Sequence, residues 1–191
     1  MKTVVIYTRR STFVARDIEL LDADEYRFDN RVPNILLSFV RQAVHFTFKR
    51  YDNYLVWFGD YHALIPVIAA RIFKRKSFVV VGGFDAISLP EINYGLWHKR
   101  GIRLKIVKLA YQLCTEILTV DDSLAENLIR FMPSMDHYKI HTIRTGLDGS
   151  GRRDTLLNTR RDTWKNGFLR RLIFTSSGAS ICASITIGRF I

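Results

Sequence analysis

YLVWFGDYHALIPVIAARIFKRKSFVVVGGFD, residues 54–85, is the stretch on which the fold turns. Leu55-Val56-Trp57-Phe58 is a wholly apolar run that ends on Gly59-Asp60. Tyr61 to Phe73 reads as a helix, with Pro66 tolerable only in its first turn. Ser77 to Val81 is a second apolar run, and it ends on Gly82-Gly83. Two strands too apolar to face water, with a helix between them, are the pattern of a parallel sheet covered on both faces.

The same alternation runs outward in both directions. Thr3 to Thr8 reads as a central strand, Phe13 to Leu21 as a helix and Tyr26-Arg27-Phe28 as a short strand. A helical pattern starts at Pro33, with Leu36, Phe39, Val40, Ala43, Val44 and Phe48 as its apolar positions. Downstream, a loop spans 82–95 and a basic helical segment runs from about Trp97 to Leu113, with Ile102, Ile106, Leu109 and Leu113 as its stripe. Glu116 to Val120 is a strand, and Ser123 to Phe131 is a helix with Leu124, Leu128 and Phe131 on one face. Ile140 to Ile143 is the last strand. The expectation is an open, Rossmann-like α/β domain with helices on both faces over residues 1–148, followed by an irregular tail over 149–191.

In such sheets ligands bind beyond the carboxyl ends of the strands. Those ends are Thr8-Arg9-Arg10, Gly59-Asp60-Tyr61-His62, Gly82-Gly83-Phe84-Asp85, Asp121-Asp122-Ser123 and Thr145-Gly146. Glycine weakens a strand, so a pair at its end marks either a turn or a close approach to the backbone. The convergence of these ends on one rim favours a site there.

Several chemistries lack their residues. The chain has no glycine before Gly59, so the dinucleotide fingerprint after the first strand is missing, as is a phosphate-binding Walker loop. No Gly-x-Ser-x-Gly elbow occurs. Of His45, His62, His98, His137 and His141, only the last two have four-residue spacing, and they read as surface residues rather than a metal site. Cys114 and Cys182 sit in unrelated contexts, which fits a reducing, cytoplasmic setting.

The 191 residues carry a formal charge of +11. Residues 149–191 hold 8 of the 29 Lys and Arg but only 2 of the 18 Asp and Glu, so more than half of the excess lies in the last quarter. Such charge suits nucleic acid, an anionic lipid surface or a phosphorylated substrate. The aromatics fall mostly in apolar runs and no nucleic-acid motif is present, so no specific nucleic-acid partner is expected. The longest apolar run, Ala63 to Ala70, is far short of a membrane span.

TFVARDIELL, the stretch 54–85, PEINYG, EILTVDDSLAENL and KIHTIRTGLD together resemble the N-terminal half of a GT-B glycosyltransferase of the family 4 type. The resemblance covers residues 1–148. Its closing Thr-Gly-Leu-Asp, 145–148, departs mildly from the family's Asn-Gly-Val-Asp. It implies an acceptor-binding domain whose partner domain grips a nucleotide sugar, a co-substrate, with no bound cofactor and no metal. Asp85 becomes the candidate base that orients or deprotonates an acceptor hydroxyl. His62 becomes a hydrogen-bonding partner for a sugar or phosphate. Gly59, Asp60, Tyr61, Gly82, Gly83, Phe84, Glu91, Asn93, Ser123, Thr145 and Gly146 become acceptor or cleft residues. Asp85 as a turn cap and His62 as a helix-start residue are the plain alternatives.

After Asp148 the family continues into a donor domain with spaced glutamates, whereas residues 149–191 contain no glutamate. That text reads as truncated or frame-shifted. Expected partners are therefore a sugar or lipid-linked acceptor and a separate donor-binding subunit, the second of which would make this chain a binding module. The basic segment Trp97 to Lys108 offers a third, an anionic membrane surface with Trp97 at the interface. Cytoplasmic localisation, peripheral at the inner membrane face, goes with it.

Overall fold

The computed structural model describes residues 2–30 and 35–143. Six strands form one parallel sheet: β1 (Thr3–Tyr7), β2 (Asp24–Arg27), β3 (Asn53–Trp57), β4 (Lys76–Val81), β7 (Glu116–Thr119) and β8 (Ile140–Thr142). Their spatial order is β2-β1-β3-β4-β7-β8. Between β4 and β7 lies a two-residue antiparallel ribbon, β5 (Ser88–Leu89) with β6 (Tyr94–Gly95). Five helices connect the strands: α1 (Thr12–Leu21), α2 (Ile35–Phe48), α3 (Leu64–Ile72), α4 (Ile102–Leu113) and α5 (Asp122–Phe131). The α/β, Rossmann-like expectation holds. The boundary at 148 and the tail beyond it lie outside the described residues.

The centre of the sheet explains its stability. Every residue of β1 and β3 is buried, as are Ser77 to Val81 of β4. Val4, Ile6, Val56, Val79 and Val81 are fully covered, and burying each such side chain contributes about 1.5–3 kcal/mol. β2 sits at one edge and alternates half-buried with exposed positions, which suits a strand with one partner.

The strand order fixes where a site can form. The chain goes from β1 outward to β2, then returns past β1 to β3 and continues to the other edge. The direction of winding therefore reverses between β1 and β3. A crevice opens at such a switch point, outside the carboxyl ends of the two strands.

Two helices differ from their sequence patterns. α4 begins at Ile102, after Gly101 at φ +152°, and Trp97 lies outside it. The expected stripe is not the inward face: Val107, Ala110 and Tyr111 are buried instead, while Ile106 and Leu113 are half-buried and Ile102 and Leu109 are exposed. In α2 the buried residues are Ser38, Gln42 and Phe46, and Leu36, Val40, Val44 and Phe48 face solvent. Periodicity finds the apolar face of a helix but not which face meets the sheet. In α5 the two coincide, and Leu124 and Leu128 are buried as expected.

Candidate functional site

A cavity of about 480 Å³ opens at the switch point. Thr8 and Arg9 line it from the end of β1, Phe58, Gly59, Asp60 and His62 from the end of β3, Gly82, Phe84 and Asp85 from the end of β4, and Tyr94 from β6. Six of these ten, Gly59, Asp60, His62, Gly82, Phe84 and Asp85, are candidate site residues of the sequence. Thr8 and Arg9 appear in the sequence among the strand ends, but nothing there shows that β1 and β3 are neighbours. Tyr94 lies inside PEINYG and is placed by the β5–β6 ribbon, which the sequence reads only as loop.

Asp85 is the best-connected residue of the rim. It is buried in a one-turn 3-10 helix, Phe84–Ala86, just after β4. Its Oδ2 accepts the Gly59 amide at 2.7 Å and the Tyr111 hydroxyl at 3.1 Å. Its Oδ1 accepts the amides of Gly82 at 3.2 Å and Gly83 at 3.1 Å. The Trp97 indole N–H reaches its backbone carbonyl at 2.8 Å. Burial pushes the Asp85 carboxyl up from its ordinary range, and the donors pull against that shift. A carboxylate with both oxygens occupied by donors is a clasp between the ends of β3 and β4. This geometry favours the turn-capping alternative over the base.

The glycines are explained by the same clasp. A Cβ on Gly59 would collide with the Tyr111 hydroxyl. A Cβ on Gly82 would collide with the ring of Phe58. Gly83 stands at φ +137°, a conformation that side chains disfavour, in otherwise open space. What comes close to this backbone is thus the protein itself. Phe58 is unusual in turn: it holds φ +70° without being glycine. Its amide donates to the Val80 carbonyl at 2.9 Å, and its ring covers Gly82. A bulky residue there stores of order 1 kcal/mol of strain beside the cavity.

Asp60 is also engaged. It caps the 3-10 turn Tyr61–Ala63 through the Tyr61 amide. Arg103 of α4 grips it with Nε to Oδ1 at 2.8 Å and Nη2 to Oδ2 at 2.6 Å. The same guanidinium lies over the rings of Tyr61 and Phe84, about 5.6 and 5.3 Å from their centroids, so it fixes three rim residues at once.

His62 differs from these. It is 1% exposed, and its Nε2 lies 2.8 Å from the Trp57 carbonyl. A carbonyl can only accept, so that nitrogen carries the proton. Burial holds the ring's pKa below the ordinary histidine range, which keeps it neutral. Nδ1 then carries a lone pair, is itself buried, and has no hydrogen-bond partner among the described residues. Gln42 of α2 donates to the His62 carbonyl at 3.0 Å and holds the backbone in place. A lone pair on Nδ1 suits a hydroxyl donor and repels a phosphate oxygen.

The remaining described candidates do not line the cavity. Tyr61 packs against Phe39 and Arg103. Glu91 is exposed in a 3-10 turn. Asn93 adopts φ +50° and meets His98 at 3.1 Å. Ser123 is tied to Asp121 at the start of α5. Thr145 and Gly146 lie outside the described residues. Trp97 is half-buried: it stacks on Phe131 at 4.8 Å and donates to the Asp85 carbonyl. His141 pairs with Glu116 at 3.7 Å, and His137 stands in a separate 3-10 turn.

No protein-family model matches this chain, and no curated protein matches it. Among solved structures it is similar to Anabaena HepE in complex with UDP, with a TM-score of 0.51 and 15% identity. That match covers 78% of this chain and 45% of the HepE chain. Staphylococcus aureus MnaA with UDP gives a TM-score of 0.49 and 10% identity over 75% of this chain and 44% of that one. The UDP-GlcNAc 2-epimerase of Methanocaldococcus jannaschii gives 0.48 and 11% over 94% and 54%. This chain thus spans less than half the length of HepE. The likeness to HepE, at this identity, shows the fold alone: a Rossmann-like α/β domain.

Proposed function

We propose that this chain provides the acceptor-side domain of a glycosyltransferase that uses a nucleotide sugar. The observation that carries the reading is His62: a neutral imidazole at the wall of the switch-point cavity, with Nδ1 buried and unpartnered among the described residues. A sugar hydroxyl is the donor that matches it, reached once a small shift of the cavity wall opens Nδ1 to the ligand. The rings of Phe58 and Tyr94 line the cavity and suit the C–H face of a pyranose, and Arg9 supplies a cation in its lining. His62 is the acceptor of the hydroxyl proton in this reading, and Asp85 is the clasp that holds Gly59, Gly82 and Gly83 in register around it. The HepE structure holds UDP, which supports a nucleotide sugar as the second reactant.

Saturation-transfer NMR on the chain with n-octyl β-glucoside, UDP-glucose and UDP-N-acetylglucosamine tests this. Transfer to the glucoside ring protons, lost in His62→Phe, is the expected result. Equal transfer to the variant, or none to any sugar, would overturn the reading. A recruiting module without transfer chemistry would show sugar binding but no product when a donor-binding subunit is supplied.

A further inference from the structure

α2 is built inside out. Its buried side carries Ser38, Gln42 and Phe46. Its solvent side carries Leu36, Leu37, Val40, Val44 and Phe48, with Leu36 73% and Phe48 84% exposed. Leu36, Val40, Val44 and Phe48 recur every four residues and form one continuous stripe along the helix. Scattered exposed hydrophobes need no explanation, but a stripe of four large ones with Leu37 beside it marks an interface.

The charges around the stripe choose its partner. Neither α2 nor α3, which packs beside it, contains a single Asp or Glu. Arg41 is exposed on α2, and Arg71 and Ile72 are exposed at the end of α3. Lys49, Arg50, Lys74 and Arg75 follow at the ends of the two helices. Arg50 lies 4.6 Å from the Phe73 ring centroid and joins those ends. Two carboxylates meet this rim: Asp24 with Lys49 at 3.0 Å and Asp52 with Arg75 at 2.9 Å. The remaining charge is basic. A second copy of the chain would set Arg41 and its neighbours against like charges. An apolar stripe bordered by cations instead matches an anionic bilayer surface.

We infer that the solvent face of α2 is a membrane-docking surface, which inserts Leu36, Val40, Val44 and Phe48 among the acyl chains of an anionic bilayer. The inference is independent of the sugar-binding reading. It moves the lipid contact away from the Trp97–Lys108 segment, whose half-buried tryptophan is tied to Phe131 and Asp85. No helix among the described residues is long and apolar enough to cross a membrane, so docking is at the surface.

The test is co-sedimentation of the full chain with phosphatidylcholine vesicles, with and without a quarter of phosphatidylglycerol. Binding to the anionic vesicles should fall about tenfold or more in Val40→Asp/Val44→Asp, because the apolar face contributes most of interfacial affinity. Arg100→Glu/Lys105→Glu on the other basic segment should retain most of it. Phe48→Trp should shift its emission to the blue on anionic vesicles and be quenched by brominated lipid. Circular dichroism confirms folding of each variant. Vesicle binding equal in Val40→Asp/Val44→Asp and wild type would reduce the effect to net charge and overturn the inference. So would no vesicle binding, or a wild-type dimer that the double variant dissociates.

Discussion

Asp85 Oδ2 accepts the Gly59 amide at 2.7 Å, across 26 residues of sequence. This bond joins the turn after β3 to the turn after β4, and it sets the spacing of the cavity floor. In Asp85→Asn the amide nitrogen would oppose backbone donors that now meet a carboxylate. The expected loss is about 3 kcal/mol in urea unfolding, since buried donors are left unsatisfied. Tyr111→Phe removes one donor and should cost about 1 kcal/mol. A fully stable Asp85→Asn with abolished transfer would instead restore Asp85 as the base.

The contact between Phe58 and Gly82 gives a paired prediction. Gly82→Ala should destabilise by about 1–3 kcal/mol, because the new methyl overlaps the Phe58 ring. In the background of Phe58→Ala the same change should cost much less. Thermal unfolding of the four proteins gives the coupling. Additive losses would mean that Gly82 is required for another reason.

His62 predicts a pH dependence. Burial lowers its pKa in the folded chain from the ordinary 6.5. At pH 7 and above both states are neutral and the group adds nothing. As pH falls through 6.5, the unfolded chain takes up a proton that the folded chain refuses, so stability falls with pH. The decline continues until the lowered folded pKa is reached. His45 is lowered by burial and by Lys49 and acts in the same direction. Unfolding free energies from pH 7 to 5 should therefore slope less in His62→Gln, by at most about 1.4 kcal/mol per pH unit. Parallel slopes would mean that the ring is not buried neutral.

The pair Arg103 and Asp60 predicts a smaller effect. Lysine cannot reproduce the two parallel bonds or the stacking on Tyr61 and Phe84. Arg103→Lys should lower stability by roughly 1 kcal/mol, a figure kept modest because the guanidinium is partly exposed. Weakened sugar binding by the same variant would show that the pair also shapes the cavity mouth.

How far the sequence reaches is visible in these residues. The apolar runs of β3 and β4 are legible because a strand buried on both faces needs no polar alternation. The rim is legible because parallel strands end together. Strand order is not: that β1 lies between β2 and β3, and so creates the switch point with Thr8 and Arg9, follows from pairings over about 20 and 50 residues. Nor is the clasp, because Asp85 meets Gly59 and Tyr111 only after α3 and α4 have packed. Glycine next to an acid signals a special backbone, but it does not say whether a ligand or a tyrosine fills the space. The outward face of α2 was hidden for the opposite reason. Its apolar period is strong, and period alone points such a face inward.

The central claim is that His62 Nδ1 accepts a ligand hydroxyl in the switch-point cavity. Long-range ¹H–¹⁵N correlation of the imidazole nitrogens, on histidine-labelled chain, reads that atom directly. The account predicts one protonated and one bare ring nitrogen for His62 at pH 7, with the bare resonance shifting upfield as n-octyl β-glucoside is added. A protonated Nδ1, or a bare resonance that stays fixed while the glucoside binds, would contradict it.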